Sequence, residues 1–271
     1  MSIERVVVEG VGLHTGSPAR VVLLRRAGAV TLRAGDIERT IAELRVGSAA
    51  RATTVESPRV GTVEHLFAAL AGLGVREGIA IEVDGPELPL LDGGASAWCA
   101  AIDALRLAPA DPAAKPTLRI VHDGTVDVGD SRYQVARAAG ITVRAEIEFD
   151  DARVAPEAEW LGDAADFRAR IAPARTFAFL HELAALQAHG LGSHVSPESV
   201  VVIAPEAIHS KGKPFTADEP ARHKLLDLIG DLYLYGGPPR GVVRAIRPGH
   251  GATHAFIRVA LERGLLARSE P

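Results

Sequence analysis

Arg222-His223-Lys224-Leu225-Leu226-Asp227-Leu228-Ile229-Gly230-Asp231-Leu232 is the stretch on which the reading of this chain turns. Its leucines and isoleucine recur at helical spacing, which predicts an amphipathic helix packed against a core. His223 and Asp227 stand four residues apart, so imidazole and carboxylate fall one turn apart on the same side. Asp231 extends that side by a further turn. A nitrogen and an oxygen ligand so placed suit a divalent metal such as zinc. The same pattern equally describes an ordinary polar stripe, and only distant segments can decide between the two.

Composition narrows the field. The chain has 271 residues, 47% hydrophobic and 24% charged, enough for one large or two moderate globular domains. No run approaches the roughly 18 apolar residues of a membrane-spanning helix. Met1-Ser2-Ile3-Glu4-Arg5 lacks the basic-then-apolar layout of a signal peptide, so the cytosol is the expected compartment. Cys99 is the single cysteine, which excludes an intramolecular disulfide and a thiolate zinc cluster. A net charge of -4 gives no case for nucleic acid. A metal site would have to use His, Asp and Glu.

In chain order, 4–9 reads as a strand leading into Gly10-Val11-Gly12-Leu13-His14-Thr15-Gly16, a glycine-rich bend. Residues 21–24 and 30–32 continue a β pattern. The segment 61–74, with Thr62 as N-cap and glycine at its end, predicts a helix with Glu64 and His65 in its first turn. Adjacent helical side chains diverge by about 100°, so one can hold a metal while its neighbour faces a water beside it. A strand over 78–83 and a helix over 97–105 follow, with Asp92 as a turn residue before it.

Three prolines among small residues mark 109–116 as a linker, with domains at 1–108 and 117–271. Strands are predicted over 117–121, 125–128, 133–135, 141–149, 200–203 and 241–246. Helices are predicted over 164–171, 181–187, the opening stretch, and from Gly249-His250 through Leu266. Each half reads as strands followed by helices, so the expected class is α+β in two similarly built domains.

Four segments now carry the uncommon residues: Glu64-His65, Arg175-Thr176-Phe177, His223 to Asp231, and Gly249-His250. Together with the glycine-rich bend, Thr62-Val63-Glu64-His65-Leu66 and Ile229-Gly230-Asp231-Leu232, they resemble the UDP-3-O-acyl-N-acetylglucosamine deacetylases. These are zinc amide hydrolases of lipid A biosynthesis. The resemblance runs almost end to end and implies a site between the two domains. It implies a zinc held by His65, His223 and Asp227 with water at the open position, although iron(II) accepts the same ligands. Glu64 would be the general base and His250 the acid, with Asp231 orienting His250 and Thr176 donating to the oxyanion. Lys224 would meet a substrate phosphate and Phe177 an apolar part of the substrate. The implied substrate is an acylated UDP-sugar, and the implied enzyme is a monomer. His254, four residues beyond His250, competes for the acid's place but is expected at the surface or behind the site. His14 is expected behind it, and His122, His181, His189 and His209 in solvent.

The chain departs from the family pattern in four places. Residues 28–41 are short, Ala52-Thr53-Thr54 replaces a segment that often holds cysteine, and Phe149-Asp150-Asp151-Ala152 replaces phenylalanine-asparagine-histidine-proline. Ser193-His194-Val195-Ser196 stands where a glycine pair is usual, which would reshape an acyl passage. Two alternatives follow: a diverged paralogue acting on another N-acetylated sugar or sugar nucleotide, and a non-catalytic sugar-nucleotide binding protein.

Overall fold

Alternating exposure along Arg5–Val11 (β1) fits an edge strand, and it pairs antiparallel with the longer, largely apolar Pro18–Ala29 (β2). Thr31–Ala34 (β3) and Ile37–Thr40 (β4) form a second hairpin. Arg45–Val46 (β5) and Val55–Glu56 (β6) make a small separate ladder. Helix Glu64–Gly72 (α1) then delivers Glu77–Asp84 (β7) between the two hairpins. There β7 runs antiparallel to β2 and parallel to β3, giving the order β1-β2-β7-β3-β4. Helix Ser96–Ala104 (α2) follows. The computed structural model describes residues 4–47, 51–107, 117–183 and 199–269.

The second half repeats the plan. After Leu118–Ile120 (β8), Gly124–Val128 (β9) and Ser131–Ala136 (β10) form one hairpin, and Ile141–Glu146 (β11) and Glu157–Trp160 (β12) another. Ala164–Asp166 (α3) continues into a single π turn over Phe167–Ile171. Thr176–Phe179 (β13), Val200–Ile203 (β14) and Ile208–His209 (β15) form a three-stranded sheet. Helix Glu219–Tyr233 (α4) then delivers Gly241–Ile246 (β16) between the second pair of hairpins, parallel to β11 and antiparallel to β10. His250–Glu262 (α5) and Leu266–Arg268 (β17) end the described chain, β17 pairing with β8. The class is α+β, with hairpin, central strand and hairpin used twice.

The two central-strand helices meet face to face. Leu66, Phe67 and Leu70 of α1 and Leu225, Leu226 and Ile229 of α4 are inaccessible to solvent. Contact is close enough that backbone meets backbone: a Cβ on Gly230 would lie 2.1 Å from the Glu64 carbonyl oxygen. The predicted amphipathicity of α4 therefore has a different meaning. All its residues but Lys224 are buried, and His223, Lys224 and Asp227 of its polar stripe line a cleft instead of lying on an outer face.

Three local expectations need correction. Thr62 does not cap α1: it lies outside the helix at φ 54°, and its hydroxyl donates to Glu87 Oε2 at 2.7 Å. The last helix stops at Glu262, because Gly264 takes φ 70° and turns the chain so that Leu266 enters a strand. The strand predicted over 141–149 ends at Glu146. The predicted linker at 109–116, the helix beyond residue 183, His189 and the segment 193–196 lie outside the described residues. No helix among the described residues is long and apolar enough to cross a membrane.

Gly230→Ala forces the two helix backbones apart. We expect a loss of about 1–3 kcal/mol, as for other overpacked cores, read as a lower urea midpoint with an unchanged slope.

Candidate active site

Four chain segments converge on one cavity of about 490 Å³. The first turn of α1 supplies Glu64 and His65, and α4 supplies His223, Lys224 and Asp227. The first residue of α5 supplies His250, and β13 supplies Thr176 and Phe177. His65, His223 and Asp227 each present a ligand atom within 4.8 Å of the others, the one such His/Cys/Asp/Glu group among the described residues. Asp227 Oδ1 lies 3.6 Å from His65 Nε2 and 3.5 Å from His223 Nε2. That oxygen is buried without a hydrogen-bond partner among the described residues. Asp227 Oδ2 accepts from Lys224 Nζ at 2.7 Å. His223 Nδ1 donates to the Ala174 carbonyl at 3.1 Å, which fixes its tautomer and leaves the Nε2 lone pair facing the cluster.

The same cavity holds a facing carboxylate and imidazole. His250 Nε2 lies 3.7 Å from Glu64 Oε1, while its Nδ1 donates to Asp231 Oδ2 at 2.9 Å. Burial alone would lower the His250 pKa, but Asp231, Glu64 and Asp227 outweigh it and raise it to about 10. Burial pushes the Glu64 carboxyl up, with His250 and His65 pulling the other way. Burial also opposes ionisation of Asp231, yet His250 and His254 hold its pKa below the usual carboxylate range. Burial lowers His223 to about 4, which keeps that imidazole neutral. Phe177 stands edge-on to His223 at 6.2 Å and to Phe149 at 5.7 Å, with Lys224 Nζ 6.0 Å from its ring centroid.

Comparison with known proteins agrees with this geometry. The profile of the family described as UDP-3-O-acyl N-acetylglycosamine deacetylase matches residues 3–262. The chain belongs to this family. Curated deacetylases of that name are similar along nearly their whole length. The Phenylobacterium zucineum protein is 36% identical, covering 94% of this chain and 90% of its own. The Myxococcus xanthus protein is 36% identical, covering 93% and 82%, and that of Shewanella loihica 32%, covering 95% and 88%.

In this deacetylase family member every residue given a metal, acid-base, oxyanion or substrate role from the sequence reaches the cavity, except Asp231, which sits directly behind His250. His14 lines the cavity too, its Nε2 buried without a partner among the described residues. Its loop is held by Glu87, which sequence reading overlooked: Glu87 Oε1 accepts from the His14 and Thr15 backbone N–H groups at 3.0 and 2.6 Å. His122, His181 and His209 are exposed, as expected. Of the two places expected for His254, the structure gives the one behind the site. It is buried, its Nε2 2.9 Å from Thr53 Oγ1 and its Nδ1 3.1 Å from the Tyr235 hydroxyl. Thr53, noticed before only as the replacement for a cysteine segment, is wholly buried between Glu64 and Asp231. Arg175 has a structural part: it forms a buried ion pair with Glu219 at 2.9 Å, tying β13 to the start of α4.

The residues present fit a metal. Ligands about 2.0–2.2 Å from a tetrahedral ion stand roughly 3.3–3.6 Å apart, the spacing found around Asp227 Oδ1. An orphaned buried carboxylate oxygen and a neutral, oriented imidazole are the donors such an ion needs. We expect His223→Ala to weaken divalent-metal binding by at least about 100-fold in competition with a chromophoric chelator. Thermal unfolding should show a fold that persists.

Proposed function

We propose that this chain is a zinc-dependent amide hydrolase that removes the N-acetyl group from UDP-3-O-acyl-N-acetylglucosamine, the committed step of lipid A biosynthesis. It would hold one zinc per chain and work in the cytoplasm. The observation that carries this reading is the facing pair Glu64 and His250, 3.7 Å apart beside the His65, His223 and Asp227 cluster. A bare metal-binding protein needs no such pair. Membership of the deacetylase family supports the choice of substrate. The repeated sheet plan supports two domains, 1–108 and 117–271, with the site where α1 meets α4.

When bound, the zinc at His65, His223 and Asp227 supplies Lewis acidity toward water and the amide carbonyl. Glu64 takes a proton from water, and the oxygen attacks the acetamide carbon. The Thr176 hydroxyl and the protonated His250 face the negative charge that develops on the carbonyl oxygen. Asp231 keeps His250 oriented and protonated through the Nδ1 hydrogen bond. As the C–N bond breaks, His250 Nε2 gives its proton to the departing amine, leaving acetate and a free 2-amino sugar. Lys224 is offered to a substrate phosphate, and Phe177 to an apolar part of the substrate.

Mass-spectrometric assay of a UDP-sugar panel tests the reading. We expect turnover of the acylated UDP-N-acetylglucosamine, lost on chelation and regained with zinc. Glu64→Gln should cut kcat by about 10²–10⁴-fold while metal content is unchanged. Near-normal turnover by that variant would remove Glu64 from the role of base. Preference for an unacylated sugar would favour the diverged paralogue.

A further inference from the structure

Five side chains, from His250 in the cavity wall back to Tyr235, form one hydrogen-bonded chain whose inner polarity can be worked out. Thr53 Oγ1 lies 2.6 Å from Asp231 Oδ1. An ionised carboxylate only accepts, so the single hydroxyl proton is committed to Asp231. The hydroxyl must then accept from His254 Nε2 at 2.9 Å, so that nitrogen carries a proton. His254 Nδ1 in turn lies 3.1 Å from the Tyr235 hydroxyl, which holds the far side of the ring. Burial raises the Tyr235 phenol to about 12, so its hydroxyl stays neutral. On the other side, His250 Nδ1 donates to Asp231 Oδ2 at 2.9 Å. The protons on His254 Nε2, the Thr53 hydroxyl and His250 Nδ1 thus all point toward the Asp231 carboxylate, an arrangement in which each bond strengthens the next. The Thr53 backbone N–H adds a bond of 3.0 Å to Glu64 Oε2.

We propose that Thr53 is a positioning residue that sets the general base and the general acid relative to each other. Its backbone N–H fixes Glu64, and its hydroxyl, oriented by His254 and Tyr235, fixes the second oxygen of Asp231 and through it the His250 ring. The assignment rests on the roles given above to Glu64 and His250. Thr53 is wholly buried and is not among the residues lining the cavity, so it acts through its neighbours.

Thr53→Val keeps the shape and the backbone N–H but removes the hydroxyl. In the zinc-loaded enzyme with the acylated UDP-sugar, we expect kcat to fall by about 10–100-fold with KM nearly constant, the effect of one unsatisfied buried polar group. Thr53→Ser should recover most of it. In an Asp231→Asn background, Thr53→Val should cost less than about threefold more, because the bond it breaks is already disturbed. A merely structural role would give independent, multiplying losses. Should Thr53→Val fail to fold, His254→Leu and His254→Gln test the chain one bond further out: the first should lower kcat and the second, which keeps a donor, should restore it.

A second readout needs no turnover. The low-field Nδ1 proton of His250 in ¹⁵N-histidine-labelled protein, assigned by its loss in His250→Gln, should shift in Thr53→Val and His254→Leu but not in Thr53→Ser. An unshifted resonance in both, or an unchanged kcat, overturns the proposal. If the wild-type enzyme leaves every UDP-sugar intact, the assigned reaction fails and the resonance alone decides whether Thr53 positions His250.

Discussion

The crossing of α1 and α4 is the constraint on which the rest of the structure depends. Neither helix carries a complete site: one offers Glu64 and His65, the other His223, Asp227 and Asp231. Side chains that must converge within 4.8 Å require helix axes closer than large residues at the contact allow. Gly230 meets that requirement by letting the α4 backbone rest against the carbonyl of Glu64 itself. Position 230 therefore governs packing and chemistry together, since the peptide it touches belongs to the proposed base.

Around the crossing, buried charge is arranged so that each group has a stated counterpart. Asp227 gives one oxygen to Lys224 and leaves the other for the cluster, while Asp231 is saturated by His250 and Thr53. Burying three carboxylates this close together is costly unless cations and donors accompany them. Lys224, His250 and the metal the ligands fit supply that company. The Arg175–Glu219 pair does the same at the edge, holding the strand whose Ala174 carbonyl orients His223.

Much of this was legible in the sequence because the decisive patterns are local. The one-turn spacing of His223 and Asp227 and the Glu64-His65 pair at a helix start could be read directly, and the strand-rich plan of both halves gave the α+β class. The misreadings share a cause. Thr62 had the residue type and position of a helix cap, but Glu87, 25 residues on, claims its hydroxyl. For His254 the choice between the surface and a place behind the site stayed open, because its partners, Thr53 and Tyr235, come from distant loops. Its place three residues before Ile257 on the buried face of α5 was nevertheless a readable signal. Thr53 offered none: a threonine in an irregular segment has no period to reveal that it will be sealed between the carboxylates of Glu64 and Asp231.

The sheet plan used twice has an evolutionary reading. Hairpin, central strand and hairpin recur in both halves, and in each the helix before the central strand is the one that reaches the middle of the molecule. What the halves share is a way of presenting a helix; the functional groups on those helices are not shared. Each sheet can drift in sequence as long as its helix stays presented, whereas substitutions on α1 and α4 are felt by both copies at once. The strip of α1 and α4 around the crossing is therefore the part of the molecule with the least room for change.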